Sequence, residues 1–215
     1  MKRLLLILLL CLSLVSSISF AEPVIEIAGG ISYFHQLKYD NYWYQEPFPY
    51  TRDETGRAWR IGVRNRINDR WSWSASWLDL GRNSVVSQYV TDADYDADSH
   101  RCLRGCDVPV TGTTTSSARG PEFAAIYDLT PFYLRGGIFI WLTKLGTTVV
   151  AHEKFDNFTF TYNERGFLTA PFAGIGVRYK WAFAEITYYH GLGGGGYPLA
   201  KRATVPMAGV QIPFK

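Results

Sequence analysis

Seven ionisable residues recur at alternate positions within otherwise apolar or small-residue stretches: Glu26, Arg60, Arg64, Glu122, Arg135, Arg178 and Glu185. Four histidines, His35, His100, His152 and His190, fall in the connections between such stretches or at their ends. Hydrolysis needs a nucleophile held by a base and an acid that orients the base. The nearest approach is Glu185 with His190. The segment YYHGLGGGG then offers no hydroxyl, because Gly191, Leu192 and Gly193 follow His190. Glu185 and His190 are also an odd number apart, which on a strand puts them on opposite faces. No catalytic residue is therefore assigned, and His190 and Glu185 are the weak pair to examine. Pairing is the other chemistry open to these charges. Isolated ions are too costly to bury, so the seven must neutralise one another or line a polar path. No phosphate-loop or zinc-type spacing is present, and no cofactor or metal is expected.

The elements that position these charges are strands. In WSWSASWLDL (71–80), Trp71, Trp73 and Trp77 take one parity and Ser72, Ser74 and Ser76 the other. A period of two marks a strand with two unlike faces. In the second run Trp59, Ile61, Val63 and Ile67 alternate with Arg60, Gly62, Arg64 and Arg66. Comparable alternation sets Ile25 and Ile27 against Glu26, Leu134 against Arg135, Val177 against Arg178, and Ile186 against Glu185. A water-soluble sandwich would bury the apolar face; a membrane barrel turns it to lipid and keeps the polar face for a narrow lumen. The charges collected on the second face exclude a hydrophobic core there. Trp59, Trp71, Trp73 and Trp77 are accordingly predicted to face lipid, and the seven charges to form a lumenal network.

Eight such runs are predicted, near 24–34, 57–67, 70–80, 121–129, 131–142, 168–179, 181–190 and 203–214. Each approaches the ~9–11 residues that cross a bilayer at a tilt. Tight turns at 68–69, 130–131 and 179–181 alternate with long connections over 35–56, 81–120, 143–167 and 191–202. That asymmetry belongs to membrane barrels with short turns on one side and long loops on the other. The fold class is all-β, a transmembrane antiparallel up-and-down barrel of eight strands. TTVVAHEKFDNFTFTYNE (147–164) is expected to be a hairpin extending the wall, with ten strands as the alternative.

Met1-Lys2-Arg3, an apolar Leu4–Val15 and Ser19-Phe20-Ala21 read as a secretory signal peptide over 1–21, leaving the barrel in 22–215. Without Lys2 and Arg3 the formal charge falls from +3 to +1, which is no signature of nucleic-acid binding. Aromatics make up 16% of the chain, with 14 Tyr and 7 Trp, the residues favoured where lipid meets water. Cys102 and Cys106 in HRCLRGC read as a disulfide closing a small loop in an exported protein, with a metal site including His100 as the lesser alternative. The first long connection carries Tyr42, Trp43, Tyr44, Phe48 and Tyr50, suited to a recognition surface or to the membrane interface. TGTTTSS (111–117) reads as a solvated, flexible loop, as does the tip Gly193–Gly196.

APFAGIGVRYKWAFAEITYYHGL (170–192) and VPMAGVQIPFK (205–215) resemble the small eight-stranded outer-membrane barrels of the OmpA/OmpX type: a Gly-rich strand, a two-residue turn, an aromatic strand and a last strand ending in an aromatic. Here Phe214 is penultimate and Lys215 follows. The resemblance implies a bacterial outer-membrane location, contact with outer-membrane lipids and lipopolysaccharide, insertion by the barrel assembly machinery through the C-terminal strand, and a monomer. Some barrels of this size modify lipid A. Their deacylases carry a His-x-Ser motif, and Leu192 stands at that Ser position. The expected function is a non-catalytic structural and surface-interaction role through the long loops, with an extracellular ligand. A lipid A-modifying enzyme and a narrow small-solute channel are the alternatives.

Overall fold

The computed structural model describes residues 23–37, 50–92, 107–152, 157–192 and 200–213. The signal segment, the disulfide pair Cys102 and Cys106, His100, the tip 193–196, Phe214 and the aromatic residues Tyr42, Trp43, Tyr44 and Phe48 lie outside them. Among the described residues there is no helix long and apolar enough to cross a membrane.

The strands are β1 (Val24–Leu37), β2 (Tyr50–Asp53), β3 (Thr55–Arg66), β4 (Trp71–Asp92), β5 (Asp107–Leu129), β6 (Phe132–His152), β7 (Asn157–Tyr179), β8 (Ala182–His190) and β9 (Ala200–Pro213). Neighbours pair in the order β2-β4-β3-β1-β9-β8-β7-β6-β5, and β4 pairs with β5 to close the ring. Every pairing is antiparallel. Strands β2 and β3 are separated only by Glu54 and pair in succession with β4, so together they form one wall. The barrel therefore has eight walls, and the ten-strand alternative falls away.

Closure leaves no unpaired backbone edge in the lipid-facing zone, which is why a sheet can exist there. Tight turns join the walls at one end. Asn68 Oδ1 accepts from the backbone N–H groups of Arg70 and Trp71, both at 2.9 Å, and Arg66 pairs with Asp69 at 2.9 Å. The β7–β8 turn places Lys180 at φ 54.

The strands overrun the predicted spans. β4, β5, β6 and β7 have 22, 23, 21 and 23 residues, about twice what a bilayer crossing needs. β4 and β5 stay paired out to Asp92 and Asp107, and β6 and β7 out to His152 and Asn157. TGTTTSS is thus not a flexible loop but part of β5, paired on both sides. Its Thr residues suit a strand because they are β-branched. Tyr50 likewise opens β2 instead of lying in a loop. One irregularity interrupts the long β4–β5 ladder, between Asp79 and Arg82. Gly81 takes φ 80 there, its N–H donating to Asp79 Oδ1 at 2.8 Å. A side chain would be strained at that φ.

The outside of the wall carries a belt of exposed apolar residues: Ile27, Ile61, Val63, Phe123, Leu134, Ile138, Ile175 and Ile186 are all 41–55% exposed. So broad an apolar surface on a single chain marks a face that meets lipid. Trp71, Tyr127, Phe132, Tyr179 and Trp181 gather near the tight turns, and Tyr33, Trp59 and Tyr188 lie toward the other end. They stand where aromatic girdles meet the two interfaces. The chain is a transmembrane barrel.

Candidate functional site: the lumen and the outer rim

Alternation along each strand turns the second face inward. Among the charged and serine residues of that face, Glu26, Arg60, Arg64, Ser72, Ser74, Ser76, Glu122, Arg135 and Glu185 are all buried. Arg60 is 1% exposed and Glu122 0%. Trp59, Trp71 and Trp77 are 40–46% exposed on the other face, and Trp73 shares their parity but is half-buried.

At the centre of the lumen, two arginines and two carboxylates alternate in a ring. Arg60 Nη1 lies 2.5 Å from Glu185 Oε1 and 3.8 Å from Glu122 Oε1. Arg135 closes it, with Nη1 at 2.9 Å from Glu185 Oε1 and Nη2 at 2.5 Å from Glu122 Oε1. Tyr133 Oη donates to Glu185 Oε2 at 2.8 Å, and Tyr189 Oη to Glu122 Oε2 at 2.5 Å. Ser76 Oγ donates to Glu122 at 3.0 Å. The guanidinium of Arg135 stands over the Phe172 ring and that of Arg60 over Phe183, 5.4 and 5.8 Å from the centroids. Each ion thus has several partners, as burial demands.

Nearer the tight turns Asp128 holds a second cluster. It accepts from Arg64 Nη2 at 2.6 Å and Arg178 Nη1 at 3.0 Å. Ser72 Oγ accepts from Arg64 at 2.8 Å. Glu26 accepts from Gln211 Nε2 at 2.5 Å and lies 3.9 Å from Arg64. Arg178 stacks over Tyr133 at 4.8 Å. Tyr133 has that room because a Cβ on Gly176 would run into its ring. Four arginines therefore face four carboxylates in the lumen: Arg60, Arg64, Arg135 and Arg178 against Glu26, Glu122, Asp128 and Glu185.

Asp128, Tyr133 and Tyr189 were not among the predicted network members. Parity was the available signal. Asp128 continues the face of Glu122, Ala124 and Ile126, and the two tyrosines share the parities of Arg135 and Glu185.

Toward the loop end the lumen changes character, which corrects the exclusion of a hydrophobic core from the second face. Leu78 and Leu80 continue the Ser72–Ser76 face of β4 and are fully buried. Phe139 and Trp141 on β6, with Val205 on β9, also point inward at 0% exposure, and the register sets Phe139 beside Glu122 and Leu78 beside Arg60. Beyond them polar residues return, with Ser116 Oγ donating to Asn83 Oδ1.

His190 is exposed on the lipid-side face and Glu185 is buried on the lumenal face, so the two are not brought together. The described histidine that meets a hydroxyl is His35, whose Nε2 is 3.0 Å from Thr204 Oγ1 on the outer wall. No described carboxylate bonds that imidazole. Among the described residues no group of three potential metal ligands occurs.

Fold and lumen define a class: eight-walled, antiparallel up-and-down transmembrane barrels with a filled interior. No family model matches the sequence, and no curated protein matches it. Among solved structures the chain is similar to Ail, the attachment invasion locus protein of Yersinia pestis, at 13% identity over 90% of this chain and 100% of Ail, with a TM-score of 0.46. Ail in complex with the heparin analogue sucrose octasulfate matches at the same identity and coverage with a TM-score of 0.44.

Proposed function

We propose that this chain is an outer-membrane barrel of a Gram-negative bacterium that works at the cell surface, presenting a projecting sheet to an external partner. The observation that carries this reading is the unequal height of the wall. β4, β5, β6 and β7 continue together well past a bilayer's thickness, whereas among the described residues β7 pairs with β8 only as far as Phe172 and Tyr189. Among the described residues, 157–171 of β7 bond to β6 alone. An exposed strand edge is a template for adding another strand, with backbone hydrogen bonds supplying affinity. Secretory cleavage after Ala21 and a Cys102–Cys106 disulfide in the loop joining β4 to β5 fit this surface role.

The paired ring and the apolar level above it support a structural lumen over a conducting one, since eight strands leave room for little beyond side chains. The separation of His190 from Glu185 weighs against a lipid A-modifying activity at that pair.

The test is a trimmed barrel lacking 84–115 and 146–163, rejoined by short turns. The trimmed chain should still shift in mobility between unheated and boiled samples on a detergent gel. Cells overproducing it should lose the adhesion to epithelial monolayers that cells overproducing the full chain show. Equal adhesion would overturn the surface reading. A lipid A mass spectrum altered by overproduction would favour the enzyme instead.

A further inference from the structure

The outer face of β8, β9 and β1 holds a row of cationic and imidazole side chains directly above a hollow in the wall. Arg202 on β9 sits opposite His35 on β1 and His190 on β8, all three exposed. Two residues toward the membrane, Thr204 lies between Tyr33 and Tyr188. Among the described residues no carboxylate pairs with Arg202.

Below the tyrosines the wall recedes. Gly29, Ala208 and Ala184 pair across the same three strands with outward positions. A Cβ on Gly29 would meet nothing within 4 Å. The hollow that results holds about 620 Å³, flanked by Ile31, Ile175 and Ile186 and reaching Phe132 near the other interface. Two other hollows on the outer wall hold about 430 and 410 Å³.

We infer that this face is a binding site for one phosphorylated, acylated lipid of the outer leaflet. Its phosphate is held by Arg202 with His35 and His190, and one acyl chain lies in the hollow below. The order of groups is that of a lipid: charge at the rim, amphipathic tyrosines at headgroup depth, and only apolar or small side chains beyond. Arginine suits the phosphate because its guanidinium is a permanent, forked donor. The missing side chain at Gly29 leaves depth where a flat wall would give a chain only sliding contact. Basic residues at membrane helix surfaces recognise lipid headgroups on the same terms. The inference rests on the outer-membrane placement proposed above.

The experiment is native mass spectrometry of the full-length mature barrel released from detergent in the presence of bis-phosphorylated hexa-acyl lipid A, against phosphatidylcholine and dephosphorylated lipid A. One lipid A adduct should survive collision energies that strip phosphatidylcholine, and dephosphorylated lipid A should be held no better than phosphatidylcholine. Arg202→Gln should weaken retention about tenfold, the loss of roughly one charged hydrogen bond. Gly29→Phe, which fills the hollow from open space, should weaken it similarly. Arg165→Gln, which removes an exposed cation on β7, should leave it unchanged. Retention unchanged in both Arg202→Gln and Gly29→Phe, several equivalent adducts, or an equal loss with Arg165→Gln would overturn the site. Heat-dependent gel mobility of each variant separates the outcomes: loss of the shift in the unmutated chain would unseat the barrel itself, whereas a folded barrel without selective retention unseats only the lipid site.

Discussion

The lumen has two storeys, filled by opposite means. From the tight turns to the centre, Arg60, Arg64, Arg135 and Arg178 are matched by four carboxylates. Toward the loops the buried side chains are Leu78, Leu80, Phe139, Trp141 and Val205, with Leu78 and Phe139 bordering the charged ring. The two fail differently. An apolar storey loses contacts in proportion to the volume removed. An ionic storey tolerates loss of the whole set and not of one member, because a single deletion strands a buried charge.

Glu185→Ala should be the most damaging lumenal change. It leaves Arg60 and Arg135 with Glu122 alone, and removal of one partner from a buried pair costs about 3–5 kcal/mol. Urea unfolding in lipid vesicles would measure it. Trp141→Ala, in the apolar storey, should cost about as much or slightly less, ~3–5 kcal/mol, through the cavity it opens. The two variants separate when the partner charges go too. Replacing Arg60, Glu122, Arg135 and Glu185 together with Met, Leu, Met and Leu should recover most of the loss seen in Glu185→Ala, since apolar substitutes for a buried ionic set are often neutral or better. If the quadruple variant is as unstable as the single one, the ionic storey is not a self-contained charge set.

The outside of the wall gives the next effect. Ile138 lies midway on β6 between Phe132 at the turn end and Lys144, the first described exposed cation toward the loops. Ile138→Arg should cost about 2–4 kcal/mol, as expected for a lipid-facing charge at mid-depth. A cost below this in the same vesicles would contradict the placement of the belt in lipid. The smallest effect should be Ser76→Ala, which removes one of several bonds to Glu122 and should cost about 1 kcal/mol.

Parity made much of this legible in the sequence. Alternation in WSWSASWLDL separated the tryptophan side from the serine side, and the short-turn, long-loop spacing gave the eight walls. Two features were not legible. The projecting halves of β4 to β7 lie beyond the apolar belt, so TGTTTSS shows no hydrophobic period and its strand character comes from pairing on both sides. The apolar storey also escaped notice. Leu78 and Leu80 share the lumenal parity of Ser72, but a leucine at an inward position looks the same in sequence as one facing lipid. Only the closure of the barrel shows that inward residues must fill a column whose polarity changes with height. Which arginine meets which carboxylate depends on cross-lumen distances between walls far apart in sequence, such as Arg60 and Glu185, and no local pattern encodes it.

Paired charges and packed side chains fill the lumen. Ion conductance across a planar bilayer, with the purified, heat-modifiable barrel inserted, tests it most directly. The expected result is no stable open level for the unmutated barrel. A steady open level whose charge selectivity changes in Arg60→Gln or Glu185→Gln would contradict a closed lumen and make the charged ring a conduction path.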